Sequence, residues 1–104
     1  MLFRSYNAGG SRGLTSTAAV DLSGFQRICV ELIANTANWT MGVALGYIIY
    51  NTGFVRSTGA IPALANQRKT VSIDVSDLSG LYYIGGNNGA DTTTQALIYN
   101  IWGE

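Results

Sequence analysis

Histidine is absent from the 104 residues, and cysteine occurs once, as Cys29. Without imidazole there is no His-based catalytic triad and no His ligand for zinc. A lone cysteine excludes an intrachain disulfide, so folding needs no oxidising compartment. Charge is scarce as well. Charged residues make up 12%, against roughly 25% in an average soluble domain. Six basic residues balance six acidic ones, giving a net charge of zero. A neutral chain lacks the basic patch that phosphate contacts require and the polybasic run that docks on anionic lipid, so neither nucleic acid nor a membrane is an expected partner. Near-zero charge instead favours self-association. The most apolar run, Met41 to Tyr50, is about half the ~20 residues of a membrane-spanning helix. The start, Met-Leu-Phe-Arg-Ser-Tyr, lacks the apolar core of a signal peptide. Synthesis in a bacterial-type cytoplasm is expected, with release by lysis or not at all. No segment has the period of an amphipathic helix; Ile61-Pro62-Ala63-Leu64-Ala65 has room for one turn.

What the chain has is a polar, uncharged surface chemistry rich in Ser, Thr and Asn, 13 glycines and 47% apolar residues, within a length that suits one domain, residues 1–104. The dominant period is two. Ile28, Val30 and Leu32 alternate with Cys29, Glu31 and Ile33, and Val71, Ile73 and Val75 alternate with Ser72, Asp74 and Ser76. Met41, Val43, Leu45, Tyr47 and Ile49 share one parity, as do Leu97, Tyr99 and Ile101. Shorter strand candidates are Leu2–Tyr6, Phe54–Ser57 and Leu81–Gly85. Turn-rich segments separate them at Asn7–Gly13, Asn35–Asn38, Asn51–Gly53 and Gly85–Thr94. Short strands with such punctuation predict an all-β, antiparallel two-sheet β-sandwich of jelly-roll type, with about seven to eight strands. Asp21-Leu22-Ser23-Gly24-Phe25 is echoed by Asp77-Leu78-Ser79-Gly80-Leu81. The Asp or Ser side chain can bond backbone two residues on, and Gly tolerates positive φ, so each copy predicts a corner feeding a strand. The Leu and the residue after Gly are expected to plug the core.

Little of this chemistry is reactive. Cys29, mid-strand between Ile28 and Val30, reads as an inert residue rather than a nucleophile. Glu31 and Asp74 are the two mid-strand acids that could face each other as a hydrolase pair, but reading them as outward polar positions is simpler. The loop Gly86-Asn87-Asn88-Gly89-Ala90-Asp91 offers oxygen ligands without the spacing of a calcium loop. No metal site or cofactor is expected. The aromatic residues are more suggestive, because flat rings stack on sugars and on protein partners alike. Parity places Tyr47 and Tyr99 inside. It leaves Tyr50, Trp102 and one of Tyr82 and Tyr83 outside, and puts Trp39 at a turn edge. Gly42, Ala44 and Gly46 line one side of a strand and would let a ligand, a neighbouring subunit or a bulky neighbour approach closely. The candidate contact set is therefore Trp39, Tyr50, Tyr83 and Trp102 with Gly42, Ala44 and Gly46.

Three stretches carry a resemblance. Val20-Asp21-Leu22-Ser23-Gly24-Phe25 with Ile28-Cys29-Val30-Glu31, the run Thr70 to Ile84, and the closing Tyr99 to Glu104 resemble small jelly-roll domains in phages and prophages of gut bacteria. Such domains occur in tail, fibre and other virion-surface proteins and are similar in fold to carbohydrate-binding modules. The resemblance implies a non-enzymatic surface module of a virion made in a bacterial host. Its expected partners are copies of itself, with a trimer favoured, other virion proteins, and host-surface glycan. The alternatives are a purely structural assembly or decoration protein, and a minimal glycoside hydrolase using Glu31 and Asp74.

Overall fold

The computed structural model describes residues 3–8, 11–34, 39–48, 53–61, 67–88 and 96–104. These form nine strand segments and no helix: β1 (Phe3–Ala8), β2 (Ser11–Ser16), β3 (Val20–Asp21), β4 (Arg27–Ala34), β5 (Thr40–Ala44), β6 (Arg56–Ser57), β7 (Lys69–Asp74), β8 (Leu81–Asn88) and β9 (Ala96–Gly103). One sheet has the order β1-β2-β8-β5-β6, with β3 also on β8; the other has the order β7-β4-β9. All pairings are antiparallel. From β3 onward the chain passes from one sheet to the other at almost every connection, the β5–β6 pair excepted. The expected jelly-roll sandwich is the result.

Strands β2 and β3 lie along the same flank of β8, so they act as one interrupted strand and the sandwich has eight. Thr15 pairs with Gly85 and Val20 with Tyr82, and the residues between step out of the ladder. At the gap the Ile84 N–H donates to Ser16 Oγ at 3.1 Å, a side chain standing in for the missing ladder carbonyl. Ser16 is fully buried, and this bond is what makes its burial tolerable.

Side chains from both sheets fill the interlayer space. Ile28, Val30 and Leu32 on β4, Met41 and Val43 on β5, Ile73 on β7 and Ile84 on β8 form the centre, with Leu22, Trp39, Ile61 and Val75 closing the ends. Each such side chain contributes about 1.5–3 kcal/mol by leaving water. On β4 and β7 the two-residue alternation holds.

The echoed corners behave largely as expected. Gly24 and Gly80 have φ of 87° and 91°, a region in which side-chain-bearing residues are strained. Asp21 Oδ1 accepts the Ser23 N–H at 2.9 Å. The two copies also touch: Leu22 N–H donates to Gly80 O at 2.9 Å and Gly80 N–H to Ser23 Oγ at 3.0 Å. Each corner leads to the central strand of one sheet, β4 or β8. Leu22 plugs the core, and Leu78 and Phe25 pack on its margin. Leu81 does not, because Tyr82 takes the inward position and turns Leu81 out.

Three further expectations are corrected. The apolar parity from Met41 does not run to Tyr47, because β5 ends at Ala44; Leu45 and Tyr47 are exposed while Ile48 is buried. Segment Asn7–Gly13 is not all turn, since β1 and β2 pair across it, from Phe3↔Ser16 to Ala8↔Ser11. Leu97 and Tyr99 are exposed rather than buried. On β9 the register jumps: Glu31 opposes Asn100, but Leu32 opposes Ile98, leaving Tyr99 as the extra residue of a bulge. The bulge moves the inward positions to Ile98 and Ile101. Residues 62–66, with most of the possible helical turn, and residues 89–91 of the possible calcium loop lie outside the described residues.

Candidate functional site

The outer face of the three-stranded sheet carries a regular array of polar side chains. Central β4 sets its rows. Arg27 stands between Asp74 of β7 and Glu104 just after β9; Cys29 stands between Ser72 and Trp102; Glu31 stands between Thr70 and Asn100. Strands are ~4.8 Å apart and alternate residues ~6.6 Å apart, so the face is a plane of about 10 by 13 Å.

Glu104 organises one side of it. The Arg27 guanidinium donates to Glu104 Oε1 at 3.4 Å, and the Trp102 indole N–H donates to Glu104 Oε2 at 3.2 Å. The half-buried indole is thus tied at its polar end and presents its ring on the sheet surface. Beside it, Gln26, Arg27, Ser72, Asp74 and Ser76 line an open groove of about 210 Å³. Asp74 Oδ1 accepts from the Ser76 backbone at 3.0 Å and its hydroxyl at 2.8 Å; these bonds, and then the nearby Arg56 and Arg27 charges, hold its carboxyl below the usual range. The groove therefore presents a fixed carboxylate, a guanidinium, an amide and two hydroxyls.

Cys29 lies under this face. It is buried, and burial first, then the Glu104 charge and a hydrogen bond to Glu104, push its thiol upward. A protonated, covered thiol is a poor nucleophile. The Glu31–Asp74 pair does not assemble: the two acids lie four ladder positions out of register on neighbouring strands, about 13 Å along the sheet, beyond the ~5–9.5 Å that brackets a glycosidic bond. Among the described residues no group of three or more His, Cys, Asp or Glu side chains could hold a metal.

Among the described candidate contacts, Trp102 alone falls on this face. Trp39 is buried in the core, its Nε1 donating to Met41 Sδ at 3.0 Å. It sits beneath Gly86, where a Cβ would meet that sulfur at 2.6 Å and Trp39 Nε1 at 2.8 Å. Its position at a strand end, read as an exposed edge, is the mouth of the sandwich core instead. Gly42 does not open the sheet to a ligand. A Cβ there would lie 2.5 Å from Phe54 Cδ1 and 2.6 Å from Arg56 O, so the glycine makes room for this chain's own Phe54. Ala44 is buried too, and Gly46 is exposed beyond the end of β5. Tyr83 is half-buried against the exposed Tyr47, with ring centroids 4.8 Å apart at 56°. Tyr50 lies outside the described residues.

Sequence reading missed two groups. Arg27 and Glu104 came together only through the β4–β9 pairing. Tyr99 was placed inside by a parity that the bulge breaks; it is exposed, with the Arg68 guanidinium 3.8 Å above its ring. Fold and face define an antiparallel β-sandwich with a tryptophan-bearing polar sheet surface. Among known proteins, no family model matches the chain, and no match was found among curated proteins.

Proposed function

We propose that the chain is a non-catalytic surface module that binds carbohydrate on the outer face of the β7-β4-β9 sheet. The observation that carries this reading is the Trp102 ring, tethered through Glu104 beside Arg27 and the groove of Gln26, Ser72, Asp74 and Ser76. A flat ring takes the apolar face of a pyranose, while planar and hydroxyl side chains around it exchange hydrogen bonds with sugar hydroxyls. The surroundings of Cys29 and the separation of Glu31 from Asp74 suit binding better than turnover. The setting that goes with it is the surface of a phage virion, where the module contacts host glycan. A glycan array probed with the native protein and with Trp102→Ala tests this: binding that the substitution abolishes supports it, and silence across the array removes it. Thermal melts of both proteins show whether the variant remains folded.

A second reading has its own observation. Tyr47 stands exposed against Tyr83, and Leu45, two residues before Tyr47, is exposed as well; exposed apolar groups that lie together mark contact surfaces. They suit assembly with copies of the chain, a trimer being the favoured form, or with other virion proteins. Light scattering on the native protein and Leu45→Lys distinguishes this: a trimer dissociated by the lysine supports it, and a monomer at every concentration refutes it.

A further inference from the structure

Residues 99 and 102 are separated by an odd number of positions, so in a regular strand their side chains would stand on opposite faces of the sheet. The bulge removes that constraint. Asn100 opposes Glu31 and Ile98 opposes Leu32, with Tyr99 unpaired between them. Ile98 and Ile101 both pack on the core, so Trp102 faces outward, as does Asn100. Tyr99 is exposed, and the position of Arg68 fixes its side. Arg68 directly precedes β7, where continuing the alternation of Thr70, Ser72 and Asp74 puts it on the outer parity. Its guanidinium lies 3.8 Å from the Tyr99 ring centroid. Both rings therefore share the outer face of one strand, about 10 Å apart along it.

Resting on the glycan-binding reading, we infer that Tyr99 and Trp102 are two stacking platforms for an extended, neutral, β-linked glycan chain that runs along β9. The straight line of the strand calls for a chain that is itself extended, and two platforms at this separation call for several sugar units rather than a terminal one. Asn100 lies between the rings, with Glu31 and Thr70 beside it on the next strands, placing an amide, a carboxylate and a hydroxyl against the sugar hydroxyls. Strand β9 carries no charged side chain, and the nearest cations are engaged, Arg68 over Tyr99 and Arg27 with Glu104. The cations Arg27 and Arg68 are balanced beside the line by Glu104 and Glu31, which suits a neutral sugar better than an acidic one. The Arg68 contact holds the Tyr99 ring in place from one side, so little side-chain freedom is lost when the other side is covered.

The test is a chain-length series: β-1,4-linked glucose and β-1,4-linked N-acetylglucosamine oligomers of one to six units, titrated calorimetrically into the native protein and into Tyr99→Ala, Tyr99→Phe and Trp102→Ala. Affinity for at least one series is expected to rise about ten-fold from the disaccharide to the tetrasaccharide as the second ring is engaged. Tyr99→Ala should abolish that rise and leave disaccharide binding in place, Tyr99→Phe should keep it, and Trp102→Ala should weaken every length. Affinity that is flat with length, or a rise that survives in Tyr99→Ala, overturns the two-platform inference while the glycan reading stands. If both series are silent but another glycan binds on the array, the inference falls alone; silence on the array as well removes both.

Discussion

Replacing Gly85 by alanine should destabilise the fold, and the sign of the effect is the useful quantity. Gly85 sits mid-way along β8, the central strand of the larger sheet, paired with Thr15 on one side and Gly42 on the other. A Cβ built there would run into the carbonyl oxygen of Leu14 and lie 2.9 Å from Thr15 Cα. These are backbone atoms, and β2 is held on both sides, by β8 and by β1. Relief requires the two strands to part and their ladder to lengthen. Overpacking of this kind costs about 1–3 kcal/mol and sometimes more. Against it stands the loss of glycine's freedom in the unfolded chain, which favours alanine by about 0.4–1 kcal/mol wherever space allows. The φ of Gly85 is not in the left-handed region, so space is the deciding factor. A net loss of ~2 kcal/mol is a large part of the ~5–15 kcal/mol that stabilises a domain of this size. With a urea slope of about 1–2 kcal/mol per M, the midpoint should fall by about 1–2 M. Gly46→Ala is the internal control. Nothing lies within 4 Å of its Cβ position, so its midpoint should stay or rise slightly. Urea titration followed by circular dichroism reads both. A Gly85→Ala midpoint equal to or above that of the native protein would refute the close approach of β2 to β8.

Three further outcomes follow from single contacts. Ser16→Ala leaves the buried Ile84 N–H without its acceptor and should cost about 1–3 kcal/mol in the same titration; a cost under ~0.5 kcal/mol would mean the ladder closes without the hydroxyl. Cys29 has a raised thiol, so its contribution to stability is complete below about pH 8.5 and is lost as pH rises through the folded value. Native protein at pH 8 should resist Ellman's reagent while urea-unfolded protein reacts at once, and Cys29→Ala should flatten the alkaline limb of the stability curve. Asp21 and Asp74 are both lowered, chiefly by the Ser23 and Ser76 backbone donors respectively, so their contribution is present above about pH 4 and lost as pH falls through their folded values. Asp21→Asn with Asp74→Asn should make the acid limb shallower, and an unchanged limb would show that these bonds form in the unfolded chain too.

The sheets were legible where alternation was long and uninterrupted. Ile28-Val30-Leu32 and Ile73-Val75 keep their parity because β4 is paired on both flanks and β7 lies regularly against it. The echoed Asp-Leu-Ser-Gly corners were legible because glycine at positive φ has a sequence signature. Strand β2 was not, because Ser11-Arg12-Gly13-Leu14-Thr15-Ser16 has a single large apolar residue. Its strand character comes from neighbours on either side, and the Gly9-Gly10 pair between it and β1 was the one local sign of a hairpin. Gly86 read as a turn residue, and Gly85 as the border between strand and turn, for a related reason. They are strand residues that other strands approach closely, and a sequence does not distinguish a glycine that bends from one that admits a neighbour.

The candidate face was less legible than the fold because it depends on pairing across strands far apart in sequence. Arg27 and Glu104 are brought together by the β4–β9 ladder, and their pairing orients Trp102 through the shared carboxylate. Parity and structure agree that Trp102 lies on the outer side, because β9 is regular from Asn100 onward, and parity misplaced Tyr99 because the irregularity begins there. Composition carries no mark of a bulge: the extra residue is an ordinary tyrosine in an ordinary apolar run. That one added residue converts an alternating strand into one with aromatic rings three residues apart on the same side. On a sheet face that carries hydroxyls, an amide and charged groups beside Leu97 and Ile33, this shift gives β9 a line along which the proposed ligand can lie. An irregularity in the ladder, more than the residue types themselves, therefore shapes the proposed binding surface.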